Sequence, residues 1–462
     1  MLDTEFLAAA RDLIKADSVT DRGNLPAVAV LEALCAKAGL PTRRLPAPDS
    51  GDRDANLLVG PGGGSTATGD PLLLVTHLDT VDPGPRERWQ TDPFELSVSG
   101  TGAVGLGAAD VKLDALCKLW AAGRVRDRAL KRPFYFLGTY GEEAGLRGAR
   151  ALMRAPPFRP FAVFCGEPSE LTLCHAHKGY AVVRVLLRSR VPVTYADSPV
   201  SVVAWKGQAA HSSTPNLGVN AIDLALDGLS QPGAPYAMAL NGGVSANTIP
   251  ASCEATVYPR PGCGPSLWAA AGRPPPPRES WANVTTLLPF VIRARDLWRG
   301  MVGELRPKRD SRFEPAEAVA NATRIRTLGG GVELTLDARL LPEHDVEDFL
   351  DLFQVRAAGL SSDAVEISVA VDRSAAGMSL PESHELVRIS GEVLAGLGLA
   401  GSPRAKPTST EAGVFARAGV PALVFGPSRS TDNAHTANEC ANLTQVERAI
   451  DVYEALICRL CG

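Results

Sequence analysis

The chain has 462 residues, with 47 Lys and Arg against 51 Asp and Glu, a formal charge of −4. Its 45% hydrophobic and 21% charged residues supply packed cores and exclude wholesale disorder, and its length predicts two or three domains. No basic block is long enough to track a phosphate backbone, and no apolar run approaches the roughly 18 residues that span a bilayer, so neither nucleic acid nor membrane is an expected partner.

The N-terminal MLDTEFLAAARDLIKA mixes acidic and apolar residues at helical spacing, where a signal peptide needs a basic start and an unbroken apolar core. Residues 4–15 and 27–38 carry apolar positions three and four apart and predict helices. Short apolar runs follow at 72–76 (LLLVT), 133–140 (PFYFLGTY) and 161–165 (FAVFC), with a helical stretch at 114–125 between the first two. Strands joined by helical crossovers predict a mainly parallel sheet buried on both faces. The middle alternates strand, helix, strand, helix, strand at 200–207, 219–229, 332–341, 346–358 and 364–371, the content of a small inserted α+β domain. Residues 261–320 interrupt it with PPPP at 274–277 and an amphipathic stretch around Trp298, read as an extra insertion packed at the rim. PALVF at 421–425 and a helical stretch from Gln445 to Leu460 return to the first pattern. The expected division is therefore 1–180 and 375–462 for the larger domain and 181–374 for the inserted one. Nine scattered cysteines in apolar company read as reduced thiols of a cytoplasmic protein, and Cys458-x-x-Cys461 lacks the second pair or nearby His of a zinc site.

Each strong strand runs directly into ligand-type residues. LLLVT precedes His77-Leu78-Asp79, FYFLGTY precedes Gly141-Glu142-Glu143, FAVFC precedes Gly166-Glu167, and PALVF leads into the loop ending at His435. The carboxyl ends of parallel strands share one edge, so these groups converge, joined by Asp110 from the glycine-rich loop GLGAAD. His77 and Asp79 are two apart and point to one face, so the carboxylate can orient the imidazole. Glu142 and Glu143 are adjacent and diverge, so one can bind metal while its neighbour faces the substrate as a base. Two His and three carboxylates exceed the shell of a mononuclear catalytic zinc and suit two metals sharing a carboxylate around an activated water. The histidines argue against calcium or magnesium.

With these residues the sequence resembles the dizinc amidohydrolase and exopeptidase family that includes acetylornithine deacetylase, succinyl-diaminopimelate desuccinylase, aminoacylase and glutamate carboxypeptidase. The stretches that carry the resemblance are THLDTVDP (76–83), WQTDPF (89–94), GLGAADVK (105–112), GEEAGLRGA (141–149), GEPSE (166–170), HKGY (177–180), AHSSTPNLGVNAI (210–222), SANTIP (245–250), LTLDARLLP (334–342) and AHTANE (434–439). The resemblance implies a zinc-exopeptidase-like α/β catalytic domain with a ferredoxin-like lid and dimerisation domain, in a cytoplasmic homodimer. It implies a shell of His77, Asp110, Glu143, Glu167 and His435 holding two zinc ions per subunit, with cobalt able to substitute and Asp110 bridging. Glu142 is then the general base, Asp79 the orienter of His77, and His211 the stabiliser of the tetrahedral intermediate, supplied across the interface in dimeric relatives. Asn247 and Arg339 are the implied substrate contacts, Arg339 pairing with a carboxylate in a bidentate fork.

The implied reaction is hydrolysis of the amide of an N-acyl amino acid in amino-acid metabolism. Glu at position 167 goes with deacylases and carboxypeptidases of that family, and Asp with aminopeptidases. A carboxypeptidase or dipeptidase using the same centre is the alternative, and a catalytically silent, metal-free homologue is the non-enzyme rival. The chain departs from the family pattern at Leu106, where relatives usually carry Arg, at Leu113-Asp114, where they usually carry two glycines, and at Glu411, where Asp is common. Arg260 competes with Arg339 for the carboxylate contact. Gly100-x-Gly102-x-x-Gly105 is a decoy because no helix opens on it. His175 and His177 read as strand residues, His344 and His384 as exposed loop or helix-start residues, and no Gly-x-Ser-x-Gly elbow is present.

Overall fold

The computed structural model describes residues 2–62, 67–191, 200–258 and 275–462. The chain divides into two compact units, Met1–His177 with Met378–Gly462, and Lys178–Gly377.

The first unit is built on a nine-stranded sheet in the order Thr42–Pro46, Ala55–Gly62, Phe134–Thr139, Leu72–His77, Ala162–Cys165, Ala422–Val424, Cys174–His177 and Met378–Ser379, with Arg404–Lys406 also beside Cys174–His177. The four strands from Phe134–Thr139 to Ala422–Val424 are mutually parallel, and the strands flanking those four pair antiparallel. All six residues of Leu72–His77 are buried, as a strand covered on both faces requires. Leu72 and Leu74 join a core with the helices Thr4–Lys15, Leu25–Ala38, Leu113–Val125 and Leu443–Cys461. Leu73 and Val75 face the opposite side, in a core with Arg147–Arg154 and Ala412–Arg417. Strand alternation thus divides one apolar run between two helical layers.

Leu113-Asp114 replaces the expected glycines without loosening the loop. The buried Asp114 carboxylate accepts from Thr76 Oγ1 at 2.7 Å and Tyr453 OH at 2.6 Å and pairs with Lys118 Nζ at 2.7 Å. Lys118 also donates to Val75 O at 2.5 Å and Thr76 Oγ1 at 2.6 Å. A charged network therefore underlies the strand end that delivers His77.

The second unit is a seven-stranded antiparallel sheet in the order Ser201–Lys206, Ser252–Tyr258, Tyr236–Gly242, Val319–Leu328, Gly331–Leu340, Gly179–Ser189 and Val365–Ala375. Leu334, Leu336, Ala338 and Leu340 belong to its core with the helices Ala221–Leu229, Val284–Leu305 and Val346–Ala358, so Asp337 and Arg339 take the other face.

The reading of 261–320 as a rim insertion is corrected here. Residues 261–274 lie outside the described residues, but Val284–Leu305 is a 22-residue helix at the heart of the domain. Its buried positions Val284, Leu287, Leu288, Val291, Ala294, Trp298, Met301 and Val302 follow helical spacing. Trp298 is fully buried, with its ring centroid 5.0 Å from Phe349 and 4.7 Å from Phe353, and its Nε1 donates to Asp337 O at 3.0 Å. The nominal boundary at 320 cuts the Val319–Leu328 strand, whose ladder with Gly331–Leu340 starts at Val319 opposite Arg339. The amphipathic pattern around Trp298 marks the side on which the sheet is covered. Trp298→Ala is expected to destabilise the protein by about 3–5 kcal/mol in urea unfolding, whereas a rim helix would lose under about 1 kcal/mol.

Candidate metal centre

The parallel strands of the first unit deliver their ligand-type residues to one edge. His77 closes Leu72–His77 and is buried, with Nδ1 3.0 Å from Asp79 O and Nε2 3.1 Å from Asp110 Oδ1. A carbonyl only accepts, so Nδ1 carries a proton and Nε2 is the atom turned towards the centre. On the other side, His435 Nε2 is 2.8 Å from Glu143 Oε1 and 3.4 Å from Asp110 Oδ2. The two oxygens of Asp110 are thus addressed by two imidazoles.

Asp110 is held by a device absent from the sequence reading. Glu439 accepts the backbone N–H of Gly107 at 2.9 Å and those of Ala109 and Asp110 at 2.8 Å. The loop needs Gly107, whose φ is +76° and whose Cβ would meet Thr80 Cγ2 at 2.7 Å. His435 is itself left-handed, with φ 61°. A non-glycine residue in that region stores about 1–3 kcal/mol and marks a place where a side chain is aimed at the expense of its backbone.

Asp79 orients the centre differently from the expectation. His77 meets its main-chain carbonyl, and the nearest carboxylate oxygen is 3.8 Å from Nδ1. The carboxylate instead accepts from Thr20 Oγ1 at 2.8 Å, Glu142 N at 3.0 Å and Glu143 N at 3.3 Å, fixing the turn that carries both glutamates. Two groups of ligand atoms lie within 4.8 Å of one another, His77 with Glu142 and Glu143, and Asp110 with Glu143 and His435. Glu167 is in neither group; its Oε2 is 2.9 Å from Lys406 Nζ, a partner the sequence did not reveal.

The electrostatics follow from burial first and from the crowding of charges second. Burial, helped by Glu143, Glu167 and Glu411 and opposed by His77, holds the Glu142 carboxyl well above its ordinary range. Burial also pushes Glu411 up to about 7; its Oε2 accepts from Thr139 Oγ1 at 3.0 Å, while its buried Oε1 has no hydrogen-bond partner among the described residues. Burial would lower both imidazoles, but the carboxylates win, raising His77 well above 6.5 and His435 to about 11. Asp110, resisting burial through those two rings, is held below the usual carboxylate range. Such nitrogen and carboxylate donors suit a zinc-like cation.

In the second unit, Ser212, which follows His211 in the chain, hydrogen-bonds both residues implied as substrate contacts, Asn247 and Arg339. Its N–H donates to Asn247 O at 2.8 Å, its Oγ accepts from Arg339 Nη2 at 2.9 Å, and its carbonyl accepts from Asn321 Nδ2 at 2.9 Å. Arg339 also lies on Asp337, Nε to Oδ1 at 3.2 Å and Nη2 to Oδ2 at 3.0 Å, with its guanidinium 5.3 Å from the Tyr180 ring centroid. His211 Nδ1 accepts from Ser213 N at 3.1 Å, leaving the proton of the neutral ring on Nε2, and burial together with Arg339 lowers its pKa. His211 does not cap the following helix; Asn220 does, accepting from Ile222 N at 2.9 Å and Asp223 N at 3.4 Å. Arg260 lies outside the described residues. His175 and His177 are buried strand residues, and His384 caps the helix Glu385–Gly396. His344 is buried rather than exposed, because its Nδ1 accepts from Leu341 N at 3.2 Å within a tight turn.

Residues 73–459 match peptidase family M20/M25/M40. The acetylornithine deacetylase of Yersinia pseudotuberculosis serotype O:1b (strain IP 31758) is 32% identical over 276 residues, covering 55% of this chain and 66% of that one, just under two thirds of the relative's length. The aminoacylhistidine dipeptidase of Vibrio alginolyticus shares the fold with a TM-score of 0.67 at 16% identity, over 99% of this chain and 97% of that one. The Bacillus subtilis YXEP protein, a dinuclear metal-binding peptidase, superposes with a TM-score of 0.52 at 11% identity, over 99% and 98% of the two chains.

With His435 raised to about 11, the metal-free ring is protonated at neutral pH, and a cation binding there displaces that proton. Zinc affinity is therefore expected to rise with pH between about 6 and 9, with net proton release seen by calorimetry in buffers of different ionisation enthalpy. Proton-independent binding would count against His435 as a ligand.

Proposed function

This chain belongs to peptidase family M20/M25/M40, and from that premise we propose that it hydrolyses the amide bond of N-acyl amino acids at a centre of two zinc ions, with cobalt able to substitute. The observation that carries the reading is Asp110, whose two oxygens face His77 and His435. A carboxylate between two imidazoles is the arrangement a shared ligand needs. His77, Asp110 and Glu167 would hold one cation, and Asp110, Glu143 and His435 the other. Bound there, divalent cations would supply Lewis acidity, polarising the scissile carbonyl and bringing a water's pKa towards about 7.

Glu142 is proposed as the general base. Its raised pKa suits a group that takes a proton from the attacking water and returns it to the leaving amine. Asp79 keeps it in place through the two N–H groups of the turn. Arg339 would pair with the substrate carboxylate, its plane fixed by Asp337 and Ser212. Asn247 would contact substrate from the same Ser212-centred cluster. His211 would donate Nε2–H to the oxyanion, an interaction worth several kcal/mol in comparable sites, from the partner subunit of a homodimer. No helix among the described residues is long and apolar enough to cross a membrane, and cytoplasmic amino-acid metabolism is the proposed setting.

The acetylornithine deacetylase relative supports an acyl-amino-acid substrate, and the dinuclear peptidase supports the metal count. A dipeptidase is the second reading, favoured by the full-length likeness to the aminoacylhistidine dipeptidase. A panel of N-acetyl and N-succinyl amino acids and dipeptides, with zinc or cobalt, separates them; cleavage only from a free amino end would defeat the deacylase reading.

Two sets of variants test the roles. Glu142→Gln is expected to lose at least about a hundredfold in kcat while retaining metal, and Glu143→Gln to lose metal as well; equal metal content with only Glu143→Gln inactive would reverse the assignment. Mixing inactive His211→Ala with inactive Glu142→Gln should restore activity if His211 acts across a dimer. An inactive mixture, with exchange verified, would place its action within one chain.

A further inference from the structure

The Glu167 carboxylate already has a cation. Lys406 sits on Arg404–Lys406, a short strand parallel to Cys174–His177 and opposite His177, and its Nζ lies 2.9 Å from Glu167 Oε2. Each side chain of the pair is only 10% exposed, so water screens neither charge. Meanwhile Asp110, Glu143 and His435 stand with their ligand atoms mutually within 4.8 Å; His77 is grouped with Glu142 and Glu143, and Glu167 belongs to neither group.

These positions make the two halves of the centre unequal. A cation entering among Asp110, Glu143 and His435 finds its donors assembled. A cation seated by His77, Asp110 and Glu167 must share Glu167 with a buried ammonium a few ångströms away, and like charges repel strongly where the effective dielectric is low. We propose that Lys406 is a positioning residue that competes for Glu167 and weakens cation binding on the His77 side, so that the Asp110–Glu143–His435 side fills first. This rests on the two-metal reading.

The test is zinc titration of the metal-free, full-length protein by calorimetry and chelator competition. Wild type should show two equivalents of unequal affinity. Lys406→Met should tighten the weaker one about tenfold or more, by relief of like-charge repulsion, and leave the tighter one unchanged, while Lys406→Arg, which keeps the charge, should preserve the gap. Glu167→Gln in the wild-type background should remove the weaker equivalent alone, which keeps the assignment open to refutation if Lys406→Met fails to fold in a melting control. Weaker binding in Lys406→Met would mean that the lysine orients Glu167 for the cation and would overturn the proposal, as would two unchanged equivalents. If neither wild type nor Lys406→Met takes a second equivalent, the two-metal reading falls, and the competition falls with it.

Discussion

Burial of many carboxylates close together is the constraint around which the first unit is built. Asp79, Asp110, Glu142, Glu143, Glu167 and Glu411 share one field, and the buried members among Asp79, Glu142, Glu167 and Glu411 are all shifted towards their neutral forms. Burial is the largest cause in each, opposed next by His77 or Lys406, with repulsion from neighbouring carboxylates smaller. A fold can tolerate this density only by supplying positive charge or donors from several directions. Here they come from two imidazoles, the Lys406 ammonium and the main chain.

The main-chain contribution is the least conspicuous. Asp79 and Glu439 are themselves acidic, yet each spends its oxygens on backbone N–H groups next to another acid. One set of carboxylates thereby fixes the loops that carry the other set. Lys112, buried with its Nζ donating to Ala16 O at 2.8 Å, ends at about 8, burial lowering it against the upward pull of Glu439, Asp17 and Asp79. Local geometry and long-range charge are inseparable in such a site, because each group that positions a ligand also alters its field.

The architecture was legible wherever one periodicity dominated. The run 72–76 lies within Leu72–His77, and the helical pattern at 346–358 coincides with Val346–Ala358. Legibility failed at Val284–Leu305, where the nearby prolines suggested an insertion packed at the rim and no local signal revealed that Trp298 meets Phe349 and Phe353. At the site, the acids and histidines stood out because each follows a strand or glycine loop. Their supports did not. Glu439 is 329 residues from Asp110, and Lys406 is 239 from Glu167, separations over which a single sequence carries no pairing signal.

The buried pair Asp114–Lys118 constrains the paths by which this sequence can change. A Cβ at Gly166 would fall 1.9 Å from Asp114 Oδ2 and 2.5 Å from Lys118 Nζ, so no side chain fits at 166 while the pair stands. Removing Asp114 alone strands a buried ammonium beneath the strand that carries His77, and removing Lys118 alone strands a carboxylate. Drift at these three positions is therefore concerted: Asp114 and Lys118 must change together, and only then can position 166 vary.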